Sequence, residues 1–235
     1  MGNVIFPHVV QKVITPLSIQ PTFANNTWAN IIRACQQNKV PASWAVGDQK
    51  PLNIGGAEYL IDIIGKNHDD YADGSGKAPL TFQLHTVYPT MYGMNATRVN
   101  GTSWNASNMR QTHLPAILAL MPTEVQIAIR EVNKNSSQGV KATTIITTAD
   151  KLFLLSEVEV TNGTILSFEG EGQQYEYYAA GNSVIKKLNG EAQDWWLRSP
   201  YKGDNSSFCA VDVHGNAAGF YADYSMGFAV PAFCF

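Results

Sequence analysis

Apolar positions first recur at helical spacing at Trp28, Ile31, Ile32 and Cys35, which stand at i, i+3, i+4 and i+7 and predict one amphipathic helix. Asn26 or Thr27 is available as its cap, and Pro41 is expected to end it. From Glu58 to Gly65 and from Leu80 to Tyr88 the pattern becomes that of strands, with Asp69-Asp70 and Asp73-Gly74-Ser75-Gly76 turning the chain between them. Asn105 to Leu120 predicts a helix bent near Pro115, and Pro122 starts a further short one. Thr143–Thr148 and Lys151–Leu155 predict strands, and Tyr175–Lys187 a helix. From Trp195 to the end, short apolar runs alternate with Gly, Asn, Asp and Ser, the pattern of hairpins. Helices come mostly early and strands late, without a βαβ rhythm, so the predicted class is α+β.

Ahead of the first helix, Pro7, Pro16 and Pro21 interrupt Val9-Val10 and Val13-Ile14. Residues 1–27 are therefore expected to form an extended arm, an oligomer or attachment contact, or else a first edge strand of the compact domain at 28–235. Met1 to Gln20 lacks a basic start followed by an apolar core, so no signal peptide is expected. No apolar run is long enough for a membrane-spanning helix, and no membrane insertion is expected. The expectation is synthesis in the cytoplasm, with association with a virion such as a phage tail left open.

Composition narrows this further. At 45% hydrophobic and 15% charged, the 235 residues can bury a core, and 19 glycines suit a loop-rich fold. A net charge of −3 offers no electrostatic reason to expect a nucleic-acid partner. Cys35, Cys209 and Cys234 make no disulfide framework. Cys209 and Cys234 can approach if their strands pair; the alternative is three reduced, buried thiols acting as small hydrophobes.

Catalytic signatures are sparse. There is no G-x-S-x-G elbow, H-E-x-x-H helix or Walker loop, and Gly74-Ser75-Gly76-Lys77 reads as a polar turn. Asn67-His68-Asp69-Asp70 with Asp73 is the densest acidic cluster. It reads either as a hydrogen-bonded loop or as oxygen and nitrogen ligands for a cation, although its spacing is not that of an EF-hand. Cys209 with His214 is a formal nucleophile pair, but a thiol beside Phe208 in a buried strand stays protonated. Neither an enzyme, a cofactor nor a metal is expected. Phe220, Tyr221 and Tyr224 lie among Gly219, Asp223 and Ser225, with Tyr201 upstream. That mixture resembles a binding surface, where Tyr combines contact area with low entropy cost; ordinary hairpin packing explains it equally well.

Trp195-Trp196-Leu197-Arg198-Ser199-Pro200, with Phe208-Cys209, His214-Gly215-Asn216-Ala217 and the ending Pro231-Ala232-Phe233-Cys234-Phe235, resembles a bacterial and phage family with a C-type-lectin-like fold. Upstream motifs of the same family are similar to Asn67-His68-Asp69-Asp70, to Trp104–Arg110 and to Lys151–Val160, so the resemblance spans 28–235. Where relatives often carry Gly-Val-Arg-Pro, this chain has Phe228-Ala229-Val230-Pro231 and loses the Arg.

The resemblance implies an α+β, C-type-lectin-like fold related to the formylglycine-generating type, and a recognition protein. Several members of that wider fold are variable proteins of diversity-generating retroelements, phage receptor-binding proteins among them. By that likeness residues 195–235 are the ligand-display region. Framework positions would be Trp195, Trp196, Leu197, Arg198, Pro200, Phe208, Cys209, Val211, Gly215, Pro231 and Phe233. Display positions would be Asp204, Asn205, Ser206, Ser207, Ala210, Asp212, His214, Asn216, Gly219, Phe220, Tyr221, Asp223, Tyr224 and Ser225, with Tyr201 beside them. Strand alternation would put Val211 and Val213 inward and Ala210, Asp212 and His214 outward. The implied partner is a protein or glycan on a cell surface. Other expectations are a structural or assembly protein of a virion or cell surface and, less favoured, a formylglycine-generating-type oxidase.

Overall fold

The computed structural model describes residues 18–235. They form an α+β fold of small antiparallel sheets with a few short helices. Helix α1, Trp28–Gln36, is the one predicted from the apolar spacing, and the Thr27 hydroxyl caps it by accepting the Asn30 N–H at 3.1 Å. It stops well before Pro41, because Asn38 takes a left-handed φ of 52°. Of the arm expected over 1–27, residues 1–17 lie outside the described residues. Its remainder carries Phe23, which is buried against Trp28, Trp44 and Phe82.

The main sheet has the order β1-β2-β3-β12-β6, with β1 Gln49–Ile54, β2 Ala57–Lys66, β3 Leu80–Leu84, β6 Leu152–Phe153 and β12 Ala232–Cys234. Gly55 and Gly56, both at positive φ, close the two-residue turn of β1 and β2. The C-terminal strand lies between β3 and β6, so the two ends of the described chain share one core. A second sheet has the order β11-β10-β9, from β9 Trp195–Pro200, β10 Ser207–Val211 and β11 Ala217–Tyr221. Two-stranded ladders complete the set: β4 Val132–Gly139 with β5 Ala142–Asp150, and β7 Lys186–Leu188 with β8 Glu191–Gln193.

Several expectations are corrected. The helix expected over Tyr175–Lys187 is only α5, Glu176–Ala179, because Gly181 at φ 82° turns the chain out of it and Lys186 already belongs to β7. The helix expected over Asn105–Leu120 is a π turn, Met109–His113, running into α2, Leu114–Leu118. After Pro122 comes α3, Thr123–Ala128. Cys209 and Cys234 stand on β10 and β12, strands of different sheets, and all three thiols are free and buried.

Candidate functional site

The polar centre of the fold is assembled from motifs far apart in sequence. Asp69 follows β2, Lys134 lies on β4, Arg198 on β9 and Tyr175 just before α5. Glu159 lies on α4, Glu157–Thr161, which Ser156 starts with a reciprocal capping box to Glu159. All five side chains are buried.

Arg198 forks onto Glu159, with Nη1 to Oε2 at 2.5 Å and Nη2 to Oε1 at 2.9 Å. Its other donors reach the carbonyls of Asn135, Leu154 and Glu171, so all five guanidinium hydrogens are used. Lys134 donates to Asp69, to Glu159 at 3.1 Å and to the Tyr175 hydroxyl at 2.8 Å, which uses all three of its hydrogens. Two cations thus balance two carboxylates. Burial pushes the Asp69 carboxyl up, but Lys134 and Thr81 outweigh it and hold its pKa down to about 2. Burial likewise opposes the charges of Glu159 and Arg198, and their mutual attraction keeps both ionised.

A cavity of about 350 Å³ opens over this cluster, with His68, Lys77, Asn133, Glu171 and Gln173 in its wall. Glu171 is its unsettled member. One carboxylate oxygen accepts the Ser137 N–H at 2.7 Å; the Ser199 side chain also favours the ionised form, but the second oxygen meets no donor at full hydrogen-bond geometry among the described residues. Burial pushes its pKa up to about 7. Because the Lys134 and Arg198 donors are all committed, this centre ties five segments together and leaves neither cation free to hold an anion.

The acidic run expected as a hydrogen-bonded loop or a cation site sends its carboxylates apart. Asp69 turns inward, Asp70 pairs with Lys77 at 3.0 Å and Asp73 with Arg130 at 2.5 Å. Among the described residues no group of three or more His, Cys, Asp or Glu side chains is arranged to hold a metal ion. Burial raises the thiol pKa of Cys209 well above its ordinary value, so the formal pair with His214 lacks a thiolate.

The expected display positions divide into three groups. Asn205, His214, Asn216, Gly219, Tyr221 and Ser225 are exposed. Tyr201, Asp204, Ser206, Asp212, Phe220, Asp223 and Tyr224 are half-buried. Ser207 and Ala210 are buried and cannot display anything, because β10 is the central strand of its sheet and every residue in it is covered. The same position defeats the expected alternation: Val211 is buried beside Ala210, whereas Val213 lies past the strand end and is exposed. Asp204 is spent on its own loop, accepting the Ser206 and Ser207 N–H groups, both at 2.7 Å. Asp212 does the same for His214 and Asn216, both at 2.8 Å.

What remains is an aromatic face on a rigid support. Trp196 is fully buried and donates its indole N–H to the Tyr92 carbonyl at 2.7 Å. Phe220 and Tyr224 pack edge-on against it, with ring centroids 5.9 and 6.3 Å away. Tyr221, on the same hairpin, is 50% exposed; Met226, five residues further on, is 59% exposed, and Met91, which bridges to Phe228, is 51% exposed. Arg98 lies over the Tyr221 ring at 4.0 Å and pairs with Asp223 at 3.2 Å. Arg98, Met91 and Tyr92 were not among the expected site residues, since nothing local in their sequence links them to the hairpin.

A chain built in this way is an α+β domain with a buried ionic centre and an exposed aromatic hairpin. Residues 86–235 match a family described as a domain of unknown function, DUF6273, and the chain belongs to that family. No curated protein and no solved structure matches it. Asp69 and strands β1–β3 precede the matched segment, yet they supply one of the partners of Lys134 and most of the main sheet.

Proposed function

We propose that this protein is a recognition protein without covalent chemistry, with a C-type-lectin-like fold that presents the hairpin around β11 to a ligand on a cell surface. The observation that carries the reading is the half-exposed Tyr221, stacked under Arg98 on the same hairpin whose Phe220 and Tyr224 are braced on the buried Trp196. Large side chains fixed in place and open to solvent lose little entropy on binding, which is what a recognition surface requires. The ligand is a protein or glycan, held by Tyr221, Phe220 and Tyr224 with Asn205, His214, Asn216 and Ser225 around them. The fold by itself does not specify sugar binding.

The finer reading is a phage or prophage protein diversified by a retroelement. The division of residues 201–225 into exposed positions and a covered strand supports it, because the exposed positions can change without touching the core. Sequencing the gene neighbourhood tests this part. A reverse transcriptase gene and a near-identical repeat of the 3′ end differing only at adenines are expected; their absence removes diversification and leaves the recognition reading to be tested by binding.

A further inference from the structure

Among the described residues strand β11 is the outer strand of its sheet and pairs with β10 alone, residue for residue from Ala217 to Tyr221 without a shift. Which of its backbone groups face outward follows from the bonds at its two ends. Ala222 N–H donates to the Ser206 carbonyl at 2.7 Å, and the Asn216 carbonyl accepts from Asp212 N–H at 2.9 Å. In an antiparallel ladder alternate residues exchange bonds with one neighbour, so Asn216, Ala218, Phe220 and Ala222 face β10. The backbone N–H and C=O groups of Ala217, Gly219 and Tyr221 therefore point away from the sheet. Of these only the Tyr221 carbonyl is occupied among the described residues, by Tyr224 N–H at 2.8 Å.

Open edges are normally blunted by charge, proline or a bulge. In the main sheet, edge strand β1 carries Lys50 and Pro51. The β4–β5 hairpin has a register shift between Ser137 and Gly139. Strand β11, Ala-Ala-Gly-Phe-Tyr, has none of these and is uncharged throughout.

We infer that β11 pairs with β11 of a second copy of this chain, antiparallel, about a two-fold axis at Gly219. Gly219 is the middle residue of the strand and faces outward, so the two glycines exchange both of their hydrogen bonds across the axis. Tyr221 N–H then donates to the Ala217 carbonyl of the second copy, and the large Tyr221 lies opposite the small Ala217. The two three-stranded sheets become one continuous sheet, and a C2 contact of this kind closes on itself. Each copy keeps its own aromatic hairpin, so the dimer offers two recognition faces side by side. The pairing itself rests on the backbone of β11; because Gly219 and Tyr221 also belong to the proposed ligand surface, self-association measured without any ligand reads the pairing separately from recognition.

Sedimentation velocity over a concentration series tests it with charge-swapped variants. A Cβ built at Gly219 meets nothing nearer than the Tyr201 ring at 3.4 Å, and Gly219 is not held at positive φ, so side chains fit there. Wild-type protein is expected to dimerise reversibly. Gly219→Lys and Gly219→Asp, each alone, weaken self-association by about tenfold or more, because like charges face each other across the axis. An equimolar mixture of the two variants restores the dimer, since opposite charges then meet. Gly219→Pro, which deletes an outward N–H and leaves the β10 ladder intact, also gives monomers, and thermal melts check that all three variants are folded. Wild-type protein that stays monomeric at every concentration overturns the inference and leaves the edge to an extended segment of another protein. Folded Gly219→Lys or Gly219→Pro protein that dimerises as tightly as wild type, or a mixture that stays monomeric, overturns it as well.

Discussion

Arg198 and Glu159 meet in a two-pronged ion pair with both side chains out of water, 0% and 3% exposed. The pair joins β9 to α4, and through Lys134 it also reaches β4 and the Asp69 loop. Removing one member of such a pair strands the other charge in the interior, which costs about 3–5 kcal/mol. Arg198→Ala is therefore expected to lower unfolding free energy by that amount in urea titrations. Arg198→Lys keeps the charge but loses the fork, and it should recover only part of the loss. Wild-type stability in either variant would show that the centre does not hold these segments together.

Glu171 makes stability fall as pH rises. Its carboxyl pKa is raised from 4.5 to about 7 in the fold, so the folded state binds the proton more tightly than the unfolded chain. The favourable contribution of the neutral form is complete below about 4.5, declines through about 7 and is absent above it, an upper bound of about 3 kcal/mol. Glu171→Gln keeps the shape without the charge. It should be more stable than wild type at pH 8 and nearly equal to it at pH 4.5, in paired denaturation curves. Parallel curves for the two proteins across that range would refute the assignment.

Trp196 and Tyr221 stand on the two outer strands of the β11-β10-β9 sheet and have opposite roles. Trp196→Ala empties a fully buried site and should cost about 3–5 kcal/mol. Tyr221→Ala removes a half-exposed ring and should stay within about 1 kcal/mol of wild type. Tyr224→Ala falls between them, because that ring leans on Trp196 and Phe220. Unfolding of Tyr221→Ala would mean that its ring is part of the core and not part of a binding face.

Local patterns were legible where burial follows period. The i, i+3, i+4, i+7 spacing located α1, and the alternation of apolar and turn residues after Trp195 located the C-terminal hairpins. Strand β4 was not legible. Val132–Gly139 is almost wholly polar, and while Lys134 is buried in the ionic centre, Ser136 and Ser137 are buried against Ser103. Glu159 carried a readable signal in the Ser156-x-x-Glu159 capping box, but its pairing with Arg198 joins residues 39 apart and no local pattern predicts that. Exposure at the expected display positions was half legible. Turn-rich composition located the exposed loops, but not that Ala210 lies in a central strand or that Asp204 and Asp212 serve their own turns.

The recognition reading meets its most direct test in binding to arrayed glycans and arrayed bacterial and host cell-surface proteins. Wild-type protein and Tyr221→Ala are compared, after melts show both to be folded. The expected result is a selective wild-type signal that Tyr221→Ala loses by about tenfold or more. A wild-type protein that binds nothing on either array, or a signal that Tyr221→Ala leaves unchanged, would contradict a recognition surface centred on Tyr221.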